Sequence, residues 1–256
     1  MDLHPDRADA MHRWAPDARA AVFAPLDTLS RTELVAGRLA DAIVLGLLAD
    51  EEQLPSEADL AAQLAVSTVT VREALTVLRE RGLVETRRGR GGGSFVRAPA
   101  DPTAAELRER LARISLIELR DLFDHYAAVG GTAGRLAAER ASAEDIERLE
   151  RAADQLAAAT DAGARRRAEG YFHLEIAAAA QSARLAREEL ALQSELGALL
   201  WAPFEGEAVQ RRAAAQHREI IAAIADGDGP LARDLVEAHV RAAAERVTEL
   251  RLNLLT

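Results

Sequence analysis

At 256 residues, with 49% of them hydrophobic, the chain has the apolar mass for one large domain or two small ones, and its wealth of Ala, Leu, Arg and Glu makes a mainly α-helical fold the expectation. The absence of cysteine excludes disulfides and thiolate zinc sites, and no apolar run approaches the roughly 20 residues that span a bilayer. A net charge of −10 argues against indiscriminate nucleic-acid binding, but a local basic patch can still grip DNA.

Residues 1–29 read as an N-terminal extension, loosely ordered or forming one short helix. They mix acids with Arg and lack the apolar stretch of a signal peptide, so a cytoplasmic protein is expected. A first helix is predicted from about Arg31 to Ala49, with Leu34, Val35, Leu39, Ile43 and Leu47 as its apolar stripe. Pro55-Ser56 opens a short helix ending near Leu64, with Ser56 as N-cap and Glu57 and Asp59 in the first turn, where the helix dipole favours acids. After a turn at Ala65-Val66, Ser67 caps a helix running to about Arg81, with Val71, Ala74, Leu75 and Leu78 facing inward and Gly82 as the stop. Leu83–Arg87 and Ser94–Val96 are strand-like and flank the turn Arg88-Gly-Arg-Gly-Gly-Gly93.

Residues 30–97 thus form a winged helix-turn-helix, and 98–104, with Pro99 and Pro102, a linker. Residues 105–256 form an all-α antiparallel bundle, with helical segments at 103–113, 115–140, 143–159, 162–180, 183–201, 206–226 and 230–252. Gly130-Gly131 is expected to bend the second of these, and Trp201 and Phe204 to pack rather than stack on a ligand.

Between Arg72 and Arg97 there are seven Arg against three acids, a basic head on an acidic body. Side chains at the start of a recognition helix reach base edges and phosphates; here these are Ser67, Thr68, Thr70 and Arg72, with Val69 able to touch a thymine methyl. Arg88 and Arg90, on a turn freed by Gly91, would add salt-sensitive contacts to the backbone. The alternative is a winged helix used for protein contacts, with the glycine-rich turn as a solvated loop.

The segment LPSEADLA, then VSTVTVREAL, GL and a wing ending in FV resembles the N-terminal domain of GntR-family bacterial transcription regulators over roughly residues 30–97. The resemblance implies binding to double-stranded operator DNA, as a homodimer on an inverted repeat. Ala58 and Thr68 stand where many members carry arginines that contact DNA, so an operator sequence does not carry over.

Glu169 and His173 lie i, i+4 on one helix; His217 and His239 lie on two later ones. Three imidazoles and a carboxylate would suit Zn, Ni or Mn with positions left for a ligand. Spacing alone also allows hydrogen-bonded core histidines. The C-terminal half is similar to the helical FCD ligand-binding domain of the FadR-like subfamily, through LRDLFDHYAAVGGTAGRLAAERAS, EGYFHLEIAAAAQS and the His217 and His239 helices. That resemblance implies that Glu169, His173, His217 and His239 hold a divalent metal, with Glu169 where the family has Asp, and that a small carboxylic acid effector binds beside it. Arg120 matches an arginine that clamps the acid in the family; the alternative is a surface arginine paired with Asp121 or Asp124.

The expected protein is therefore a ligand-responsive transcription regulator, a repressor by preference, and not an enzyme. In a second reading the ion itself is the signal. A third, a metal-dependent hydrolase, lacks an HExxH motif, a nucleophile elbow and an evident general base.

Overall fold

The computed structural model describes residues 29–200 and 207–255. The expectations for residues 1–28, and for Trp201 and Phe204, lie outside them.

Helix α1 (Arg31–Val44) starts at Ser30, whose hydroxyl accepts from Glu33 N while Glu33 caps back onto Ser30 N. It stops five residues sooner than the pattern suggested, because Gly46 takes a left-handed conformation (φ +75°) that closes the end. Its buried face is Val35, Ala36, Leu39, Ala40 and Ile43, whereas Leu34 and Leu47 are exposed. The alanines sit where the expected stripe had leucines, which lets α1 lie close on its neighbour.

Helix α2 (Glu57–Leu64) is capped by Ser56, and Ala65 turns the chain in the left-handed region before α3 (Thr68–Glu80), capped by Ser67. The inward face of α3 is Val71, Ala74, Leu75 and Leu78, as the spacing predicts. Strands β1 (Val84–Arg87) and β2 (Gly93–Val96) pair antiparallel with Val84 opposite Val96, and Gln53 adds a bridge to Phe95. These elements share one apolar core.

The remainder is helical: α4 (Ala104–Arg113), α5 (Leu116–Arg140), α6 (Ala143–Ala158), α7 (Ala162–Ala179), α8 (Ala183–Leu192), α9 (Glu207–Ala225) and α10 (Gly229–Asn253). Side-chain caps from Thr103, Ser115, Ser142, Asp161, Ser182 and Asp228 start α4 to α8 and α10, each worth about 1 kcal/mol. Helix α5 runs unbroken through Gly130-Gly131. Those glycines do not interrupt it; with Gly134 they let α10 approach, since a Cβ on Gly134 would lie 2.9 Å from Val236 Cγ2 and 3.1 Å from the Ala232 carbonyl.

Beyond α8 the expected continuous helix widens into a π segment, Gln193–Gly197, before resuming at Ala198–Leu200. Gln193 is locked there by bonds to Tyr126 and Glu189. No described helix is long and apolar enough to cross a membrane.

Candidate DNA interface and candidate metal centre

The start of α3 presents Thr68 and Val69 to solvent, with Val69 57% exposed. Ser67 Oγ accepts from Thr70 N at 3.1 Å and lies 2.9 Å from Thr70 Oγ1, so these two hydroxyls build the cap as well as the surface. Arg72 is exposed but held by Glu57, at 3.1 Å from Nε and 2.9 Å from Nη2 to one carboxylate oxygen. Sequence reasoning missed that pair, although Glu57 opens the preceding helix, a place that favours an acid.

The wing divides its arginines into two groups. Arg87 and Arg97 are tied to Glu51 and Glu85, and the Arg87 guanidinium lies 4.2 Å over the Phe95 ring. The two side-chain bonds from Arg87 and Arg97 hold the Glu85 carboxyl below its ordinary range. Arg88 and Arg90 are exposed and, among the described residues, make no hydrogen bond or ion pair. Gly89 (φ +98°) and Gly91 (φ +84°) give the turn between the strands a backbone path that other residues rarely follow. The tip therefore carries two cations free to meet phosphate.

Inside the helical half, α7 supplies Glu169 and His173, α9 His217 and α10 His239, all buried. One ligand atom from each lies within 4.8 Å of the others. Donors about 2.0–2.2 Å from one ion are at most about 4.3 Å apart, so the side chains would have to draw in by at least about half an ångström to share one.

His217 Nε2 lies 3.1 Å and His239 Nε2 3.4 Å from the same oxygen, Glu169 Oε2. His239 Nδ1 lies 2.9 Å from Gln216 Oε1; when Nδ1 carries the proton and donates, the Nε2 lone pair is left facing the carboxylate. Among the described residues, Glu169 Oε1 and His217 Nδ1 are buried without a hydrogen-bond partner. Burial alone would raise the Glu169 carboxyl, but His217 and His239 outweigh it and hold it far below the usual range. Burial, reinforced by His239, pushes His173 well down; burial also lowers His217, against the pull of Glu169. A buried carboxylate among three buried imidazoles is a donor set that a divalent metal can use. A bound ion would draw these donors together; Phe172, stacked on His217 at 3.6 Å between centroids, fixes one of the rings.

A second polar group adjoins the first. Tyr126 has its ring 5.6 Å from that of His173; its hydroxyl accepts from Gln193 Nε2 and is bonded to the Glu189 carboxylate. Glu189 is itself buried and 2.9 Å from Gln193 Nε2. Nothing in the sequence pattern marked these residues, because a Tyr and a Gln on apolar faces look like ordinary packing.

Arg120 is exposed on α5 and, among the described residues, pairs with neither Asp121 nor Asp124. Helix α5 instead turns Leu119 and Tyr126 inward. Another guanidinium acts on the buried quartet: Arg246 on α10 is partly buried, and burial lowers it while attraction to Glu169 opposes that shift. It follows His239 by seven residues and so shares its face of the helix.

The sequence matches two family descriptions: "Bacterial regulatory proteins, gntR family" over residues 31–93, and "FCD domain" over residues 121–242. RmpR of Mycobacterium gastri, named as an HTH-type transcriptional regulator, is 41% identical over 225 residues, covering 87% of this chain and 82% of its own. The Uxu operon transcriptional regulator of Escherichia coli is 28% identical over 214 residues, 77% of this chain and 79% of that one. Among solved structures, E. coli McbR/YncC aligns over 87% of this chain and 99% of its own, with TM-score 0.53 and 19% identity, a likeness of fold.

Proposed function

Since this chain belongs to the gntR family of bacterial regulatory proteins, with an FCD domain, and is a transcription regulator, we propose that it senses a small carboxylic acid at a metal-containing pocket. Residues 30–97 would read operator DNA through Ser67, Thr68, Val69, Thr70 and Arg72, with Arg88, Arg90 and Gly91 of the wing on the backbone. Residues 105–256 would bind the effector and pair two copies, so that two heads meet an inverted repeat. The preferred outcome of effector binding is DNA release, hence repression.

The carrying observation is the buried quartet, where Glu169 Oε1 and His217 Nδ1 lack partners among the described residues and two imidazole nitrogens converge on one carboxylate oxygen. Glu169, His173, His217 and His239 would hold the ion, which would supply a positive charge to which an acid can bind. Arg246, partly buried and on the same helix face as His239, is a second candidate clamp for the acid beside the exposed Arg120. An effector acts only through different affinities for the two arrangements of the heads.

The test is metal content by elemental analysis. The purified protein carries about one Zn, Ni or Mn per chain, and His217→Ala combined with His239→Ala removes it while the helical circular-dichroism signal stays. Full stoichiometry in that double variant would put the metal elsewhere; a wild type that takes up none of the three would end the metal reading.

A further inference from the structure

Two neighbouring side chains of the π segment serve opposite sides of the molecule. Gln193 is buried beside Tyr126, whose ring lies 5.6 Å from that of His173. Its Nε2 donates to Tyr126 Oη at 2.5 Å and to Glu189 Oε1 at 2.9 Å. Its Oε1 is so closely enclosed that a Cβ on Gly170, the residue after Glu169, would lie 3.2 Å away, and one on Gly197 2.7 Å away. Ser194, the next residue, donates its hydroxyl to Asp41 Oδ1 on α1. Burial raises the Asp41 carboxyl, against the Ser194 bond and the attraction of Arg81, the C-cap of the recognition helix α3. Leu45, just past α1, also reaches the site: its Cδ2 would be 3.9 Å from a Cβ on Gly170.

Local structure explains why this contact would transmit rather than merely hold. A π turn is one extra residue accommodated in an α-helix, and such turns occur often at functional sites. A shift of that extra residue by one position would give the segment a second discrete arrangement, the physical requirement for carrying a signal between separated sites. Gln193, enclosed and bonded to Tyr126, is placed to pass a shift of Tyr126 or of the backbone at Gly170 to the turn.

We propose that Gln193 and Ser194 are positioning residues that couple the buried quartet to the DNA-reading head, through the π turn and the Ser194–Asp41 hydrogen bond. This rests on the reading that the quartet binds an ion. Movement at the quartet shifts Gln193, the turn adjusts, and Ser194 draws α1, with α3 packed on it, into a different setting.

The experiment is hydrogen exchange by mass spectrometry on the full chain, stripped with chelator and then loaded with Zn. In the wild type, loading changes opening around residues 36–45 by on the order of fivefold. Ser194→Ala abolishes that change but keeps metal stoichiometry and the exchange change around 169–173; Ser194→Thr, which keeps a hydroxyl, restores transmission. Undiminished transmission in Ser194→Ala overturns the proposal, as does a wild type that binds Zn with no response in α1.

A metal-free arm separates this from failure of the metal reading. Gly197→Ala pushes on Gln193, alters exchange in α1 of the stripped protein, and loses that effect when combined with Ser194→Ala. If Gly197→Ala does not fold, Gln193→Ala takes its place. Unchanged α1 exchange in that arm overturns the coupling even if the protein never binds Zn.

Discussion

Replacing Glu189 by Gln should make the protein more stable, and the gain should depend on pH in a set direction. Glu189 is 1% exposed, and burial pushes its carboxyl up from 4.5 to about 7, against hydrogen bonds from Gln193 and Tyr126. Because the folded value lies above the unfolded one, the group costs nothing below about pH 4.5. Between 4.5 and about 7 the unfolded chain releases the proton first, so stability is lost as pH rises; above about 7 the full penalty applies. The shift is worth about 3 kcal/mol in all, most of which falls between pH 5 and pH 8. Gln has the same shape, accepts from Gln193 through its amide oxygen, and does not titrate. Urea unfolding of chelator-treated protein at one fixed concentration, followed by circular dichroism at both pH values, measures the difference between variant and wild type. Every other titrating group cancels in that comparison. The gain from Glu189→Gln should grow by about 2–3 kcal/mol from pH 5 to pH 8. An equal gain at both values would mean that Glu189 is not held as a buried, neutral acid, and the polar group around Tyr126 would have to be redrawn.

Gly134→Ala should cost about 1–3 kcal/mol, because its Cβ meets the Ala232 carbonyl across the α5–α10 contact. Gly37→Ala, with nothing within 4 Å and a helical setting, should instead stabilise by about 0.5–1 kcal/mol; thermal unfolding ranks the two, and the reverse order would contradict the packing. Arg72→Ala should weaken operator binding without altering the unfolding of the helical half, and Glu57→Gln, which releases Arg72 from its ion pair, should strengthen it. Unchanged affinity in both variants would remove Arg72 from the interface. Arg88→Ala with Arg90→Ala should lower the slope of log affinity against log salt by about 2, read by fluorescence anisotropy over a salt series; an unchanged slope would leave the wing off the backbone.

The sequence made the elements of the head and bundle readable wherever local chemistry decided them. The Ser56 and Ser67 caps, the Gly82 stop and the inward stripe of α3 stand where hydroxyls, glycine and 3.6-residue periodicity require. Periodicity failed on α1, where Ala36 and Ala40 share the buried face and Leu34 is left in water, since apolarity alone does not separate close packing from bulk. It also failed at Gln193: a π turn is set by the partners Tyr126 and Glu189, each distant or hidden on an apolar face. The four candidate ligands were legible through chain resemblance, and folding brings them together. Arg246 shows the limit, because the partial burial that sets it apart from the exposed Arg120 is encoded in no spacing.

The central claim, an acid sensed at a metal-anchored pocket, is tested most directly by thermal unfolding of metal-loaded protein across a panel of small mono-, di- and hydroxycarboxylic acids, with a chelated control. A ligand at about 100 times its dissociation constant adds about 2.7 kcal/mol, enough to raise the transition by several degrees. The account predicts such a rise for one class of acid, lost after chelation. No rise with any acid, together with a large fall on chelation alone, would make the ion structural or the signal itself and would contradict the account.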